Sequence, residues 1–165
     1  MVPQLFSLPA DSRVAQSIAS FADDGQRVPM TPEAFAMPVQ GLPTTRATPE
    51  GVADLLRLSR RLYVHGFFVY DFVTVGVHYS LMALEAALSH RVRARPKETF
   101  QQLIDKALLE HVLDAPDHEL VQAAARRLRN SLSHPTMQNI WSPAMAAPAI
   151  AQAHRIVAIV FPDET

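Results

Sequence analysis

"DFVTVGVHYSLMALEAALSHRV", residues 71–92, decides the fold. Asp71, His78 and Glu85 recur every seven residues, a spacing that gathers them into one stripe of a helix. Almost every other position is apolar, including Phe72, Val73, Val75, Val77, Leu81, Met82, Leu84 and Leu88. A helix that is apolar nearly all round needs neighbours on most of its surface. The longest uncharged stretch, Phe72 to Leu84, falls short of the roughly 20 apolar residues that cross a bilayer, so it predicts a buried core helix and no membrane span.

Upstream, Thr48-Pro49-Glu50 carries a helix start: a capping hydroxyl, a proline with the φ of a first helical position, and an acid at the positive end of the dipole. The helical pattern then continues to Val92. That run is long for a globular helix, and Gly66 in "YVHGFF" predicts a kink or break within it. Downstream, Phe100, Leu103, Ile104, Ala107, Leu108 and Val112 fall on one face and predict a helix over Lys97–Leu113. Asp114-Ala115-Pro116-Asp117 supplies the next cap, for a helix reaching Ser133. Ser142-Pro143 opens a last helix that contains Pro148 and ends near Phe161-Pro162. No alternating apolar run is bounded by strand-turn pairs.

The expected fold is therefore all-α: a bundle of four to five helices over residues 48–162, preceded by an irregular Pro-rich arm, residues 1–47. Of the thirteen prolines, seven lie in the first 49 residues and none between Pro49 and Pro96. The arm is expected to be partly ordered, to offer one short helix around residues 12–21, and to pack on the bundle or on a partner.

Composition excludes several chemistries. The chain of 165 residues has no cysteine, which removes disulfides, thiolate catalysis and Cys-ligated zinc. The seven histidines form no His-Glu-x-x-His string and none stands four residues from another, so no metal site or cofactor is expected. No Gly-rich phosphate loop occurs. The opening "MVPQLFSLPAD" lacks the basic and apolar regions of a signal peptide, so the expected location is cytoplasmic. The net charge of −1 means that any contact with nucleic acid is local rather than spread over the surface.

"RRLRNSLSHP", residues 126–135, offers such a local site. His134 is the one group in the string that exchanges a proton near neutral pH. Arg129 is permanently charged, and its planar fork matches phosphate oxygens. Asn130 can hold either neighbour or hydrogen-bond a ribose. Residues five apart on an ideal helix are about 140° apart, which would separate Arg129 from His134. Pro135 removes that obstacle, because a residue before proline is pushed out of helical geometry and can turn back. Helix-dipole preference and ordinary helix punctuation also generate arginines, a histidine and a proline at a helix end. Beside Glu85, Ala83, Ala86 and Ala87 permit close helix approach, which would let Glu85 pair with Arg126 or Arg129. Arg91, Arg93, Arg95 and Lys97 form a basic run whose default role is a solvated face. Trp141 in "QNIWSP" reads as a core or interface anchor.

The order of elements, the string Arg129-Asn130-Ser131-Leu132-Ser133-His134, the "ALEAAL" of residues 83–88 and the closing "IVAIVFP" of residues 156–162 together resemble the HEPN superfamily (higher eukaryotes and prokaryotes nucleotide-binding). The resemblance spans residues 48–162. It implies a metal-independent endoribonuclease in which the RNA 2′-hydroxyl attacks the adjacent phosphorus and leaves a cyclic phosphate. Arg129, His134 and Asn130 would be the catalytic residues, supported by Glu85 and Arg126. A homodimer with facing motifs, an RNA substrate, and a cognate antitoxin or other regulatory protein are the partners it implies. The alternative within the same family is a catalytically inert dimer that binds a protein or a nucleotide.

Overall fold

The computed structural model describes residues 9–17, 19–21, 25–119, 121–123 and 141–163. The long helical pattern divides where Gly66 predicts: α3 runs Glu50–His65 and α4 runs Asp71–Arg91, joined by turns over residues 66–70. Gly66 is required by close approach, since a Cβ there would lie 2.5 Å from Val73 Cγ2 and 2.8 Å from the Tyr63 carbonyl oxygen. Thr48 does not cap α3. Its hydroxyl lies 2.7 Å from that of Thr45, while Pro49 takes the cap position and its carbonyl accepts from Val52 and Ala53.

α4 is the spine of the bundle. Val73, Val77, Leu84 and Leu88 on its inner face are at most 1 % exposed, and each such side chain contributes about 1.5–3 kcal/mol when fully buried. α3 packs along one side of α4 and α7 (Pro143–Val160) along another. α3 and α4 approach closely at Gly76, where the buried Ser59 hydroxyl donates to the Gly76 carbonyl at 2.7 Å. By length and composition α4 and α7 are each long and apolar enough to cross a membrane, although α4 falls short when only its uncharged stretch is measured. Half of each is buried inside the protein.

The predicted third helix is shorter than its apolar face suggests: α5 covers Phe100–Leu109. Capping decides both ends. The Thr99 side chain accepts from the Gln102 N–H while Gln102 reaches back to the Thr99 N–H, which fixes the start. At the other end His111 adopts φ +56°, and the Val112 N–H bonds the Ala107 carbonyl at 2.8 Å as the His111 N–H bonds Leu108. This is a Schellman stop with histidine where glycine is usual. α4 stops the same way, with Arg93 at φ +48° and the Ala94 N–H on the Ser89 carbonyl. Helical residues 115–119 and 121–123 follow as α6, whose start is capped by the Asp114 carboxylate accepting from the Asp117 N–H.

The segment before residue 48 is more structured than its prolines suggest. It contains α1 (Ser12–Ser17), a two-strand antiparallel hairpin of β1 (Ala19–Phe21) and β2 (Arg27–Pro29), α2 (Pro32–Ala36) and a 3₁₀ turn, Met37–Val39. The three-residue strands are too short to show alternation in sequence. Val14, Phe35 and Val39 from this segment join the main core, and the Phe35 ring stacks on Tyr63 at 5.0 Å. Asp11 ties α1 to the α3–α4 turn: its carboxylate accepts from the Arg13 and Tyr70 N–H groups, and Arg13 bridges onward to Asp71 at 3.0 Å. The hydrogen bond from the Arg13 side chain, followed by that from Tyr70, holds the Asp11 carboxyl well below the usual range.

His154 on α7 fastens the same segment from the other side. Its side chain is fully buried, and Nδ1 donates to the Pro43 carbonyl at 2.9 Å. Burial is the main reason that its pKa lies below the ordinary 6.5; the Arg60 charge adds to the effect, against the opposing Pro43 hydrogen bond. The unfolded chain therefore takes up a proton that the native state resists, and stability falls as pH drops below about 6.5. His154→Gln, which keeps a donor for Pro43, is expected to flatten the loss of melting temperature between pH 7 and pH 5. An unchanged slope would remove His154 from that role.

Candidate functional site

Arg126, Arg129, Asn130 and His134 lie outside the described residues, as does Pro135. What the structure describes is the chain on either side of them. Val121 and Trp141 are 1 % and 3 % exposed, and both line one cavity of about 310 Å³ together with Ala123, Leu81 and Leu84 of α4, and Ile156 of α7. The last described residues before the string and the first after it thus line one cavity beside α4. Trp141 is the core anchor that its sequence context predicts.

Glu85 is exposed on α4 and faces another hollow, of about 610 Å³, which it lines with Met82, Ser89, Arg95, Lys97 and Glu98. The basic run frames this hollow through a tight turn. Pro96 and Lys97 are its central residues, the Glu98 N–H donates to the Arg95 carbonyl at 3.2 Å, and Lys97 sits at φ +73°. Pro followed by a positive-φ residue is the type II arrangement, and lysine there replaces the usual glycine or asparagine. Glu98 caps the turn by accepting from the Arg95 N–H at 2.7 Å and lies 3.8 Å from the Lys106 ammonium. Of the alanines beside Glu85, Ala83 and Ala87 are fully buried and Ala86 is half-buried, while Arg126 and Arg129 lie outside the described residues. Of the other members of the polar stripe, Asp71 is exposed and paired with Arg13, and His78 is half-buried.

A third group was not legible in the sequence. On α6, His118 Nε2 lies 3.2 Å from the Asp105 carboxylate of α5, and the Gln122 amide donates to the same oxygen at 3.3 Å. Burial works to raise the Asp105 carboxyl, but hydrogen bonds from His118, Gln101 and Gln122 outweigh it and leave the carboxyl below its ordinary pKa. An imidazole oriented by a carboxylate is a standard proton-transfer arrangement. The four-residue spacing of His118 and Gln122 puts them on one helix face, yet only the packing of α5 on α6 reveals Asp105 as their partner.

Among the described residues no three His, Asp or Glu side chains gather where they would hold a metal ion. Compared with family models, with curated proteins and with solved structures, the chain matches none.

Proposed function

We propose that the protein is a cytoplasmic, metal-independent endoribonuclease of HEPN type, working as a homodimer, in which Arg129, His134 and Asn130 act on the scissile phosphate. Glu85 and Arg126 would position that group. The observation that supports the reading is that Val121 and Trp141, which bracket the Arg-Asn-x-x-x-His string in the sequence, are both buried and line one cavity against the central helix of an all-α bundle; the string itself, and the helix expected to reach Ser133, lie outside the described residues. Transfer of the 2′-hydroxyl proton needs a base, departure of the 5′-oxygen needs an acid, and the phosphorane needs positive charge. One copy of the string offers one histidine. Two copies about a twofold axis offer two histidines and two Arg129 guanidinium groups around one cleft.

Helix geometry favours one face for such a dimer. Leu84 lines the cavity beside Trp141, whereas Met82, two residues away and so roughly 200° around the helix, points outward. The exposed α4 stripe of Phe72, Val75 and Met82 therefore lies away from the cavity that the string's flanks share. Met145 is 42 % exposed and lines that cavity, on the flank where facing motifs would meet. Met145→Asp is expected to halve the mass measured by light scattering and to abolish RNA cleavage, while Met82→Asp leaves both intact. The reverse pattern would place the dimer face on the α4 stripe and separate the two motifs. A cognate antitoxin or regulatory protein is the expected second partner. The inert-module alternative is favoured by the net charge of −1, and it differs in one readout: the dimer would form but RNA would stay whole.

A further inference from the structure

The cavity between α4, α6 and α7 has a chemical character that RNA cleavage does not use. Its described lining is apolar, with Leu84, Val121, Met145 and Ile156 among its walls, and contains no charged side chain. Two of its lining residues nevertheless bring polar groups with nothing to bond. Among the described residues, the Nε1–H of Trp141, a residue 97 % buried by its 3 % exposure, has no hydrogen-bond partner, and the buried Nε2 of Gln152 has none either. Buried donors are nearly always satisfied, and an orphaned indole N–H cannot be explained by exchanging atom assignments as an amide can. The volume of about 310 Å³ is at the lower end for ligand sites. It has room for about ten non-hydrogen atoms at the roughly 30 Å³ that a water molecule occupies in the liquid.

We propose that this cavity is a binding site for a small neutral molecule with an apolar body and one hydrogen-bond acceptor, such as a carbonyl oxygen, received by the Trp141 and Gln152 N–H groups. The apolar described lining suits an apolar body on the ligand. The Trp141 N–H, which is a donor in any arrangement, selects an acceptor over a plain hydrocarbon. This inference does not depend on the proposed ribonuclease activity.

The chain has a single tryptophan, so ¹⁵N-labelled protein gives one indole N–H signal that needs no assignment. Acetophenone and ethylbenzene are suitable probes, because they are close in size and share a ring but differ in the acceptor. Acetophenone is expected to move the indole signal downfield with saturation, further than ethylbenzene does, and to bind at least tenfold more tightly. Gln152→Leu, which keeps an apolar wall, is expected to weaken acetophenone severalfold and to leave ethylbenzene unchanged or tighter. Equal affinity for the two probes would overturn the acceptor site. A failure of both to give a saturable shift, the result expected if the chain's own segment 124–140 fills the cavity, would overturn the cavity as a ligand site.

Discussion

Gly76→Ala is expected to lower the melting temperature by several degrees, up to about 8 °C. Intrinsic helix propensity pushes the opposite way, favouring alanine over glycine by about 1 kcal/mol in a helix interior. The packing at this position outweighs it. A Cβ on residue 76 would sit 2.9 Å from the Ser59 carbonyl oxygen and 3.1 Å from the Tyr63 backbone nitrogen, and backbone cannot swing aside as a flexible side chain can. Relief requires α3 and α4 to separate, which strains the 2.7 Å bond from Ser59 to the Gly76 carbonyl and loosens the central interface of the bundle. Overpacking of a tight core costs about 1–3 kcal/mol and occasionally more, and 1 kcal/mol corresponds to about 2–4 °C in a chain of this size. The sign is the test: a melting temperature that rises in Gly76→Ala, followed by circular dichroism, would mean that propensity governs and the α3–α4 approach is looser than described.

The second large effect concerns the proposed chemistry. His134→Ala is expected to reduce RNA cleavage by about 10²–10⁴-fold, the range over which positioned acid–base groups act, and Arg129→Ala by about 10²–10³-fold, as loss of transition-state charge stabilisation does, both with little change in melting temperature. His118→Ala provides the internal control. His118 has a carboxylate partner in Asp105 at 3.2 Å, so it is the described imidazole most able to substitute for His134 as a proton carrier. On the proposed mechanism the His118→Ala protein keeps its cleavage rate, since the paired strings of a dimer already supply acid and base. Loss of cleavage in His118→Ala with retention in His134→Ala would transfer the acid–base role to the Asp105–His118 pair.

The fold was legible where local rules and packing agree. The stretch 71–92 reads as a core helix because its apolar positions surround it, and Gly66 and Ser142-Pro143 mark real helix boundaries for local steric reasons. The misread boundaries depend on rarer devices. A helix stop normally announced by glycine is made here by Arg93 and His111 in the left-handed region, and a cap assigned to Thr48 is lost to its neighbour Thr45. The arm was underread because prolines suggested irregularity, whereas Phe35 and Val39 depend on tertiary contact with α3 and the turn after it, including Tyr63 and Phe67, which no local pattern encodes. The site divides in the same manner. The residue types of the Arg-Asn-x-x-x-His string can be read from chemistry alone. The Asp105–His118 pair and the two orphaned donors of the Trp141 cavity arise from contacts between distant elements and leave no spacing to find.

The central claim is tested most directly by incubating the purified protein with mixed RNA in excess EDTA and analysing the new ends. The proposed mechanism predicts that cleavage persists and that the 3′ ends carry 2′,3′-cyclic phosphate. Intact RNA at dimer-forming concentrations, or cleavage that appears only when a divalent metal is restored and leaves other termini, would contradict it.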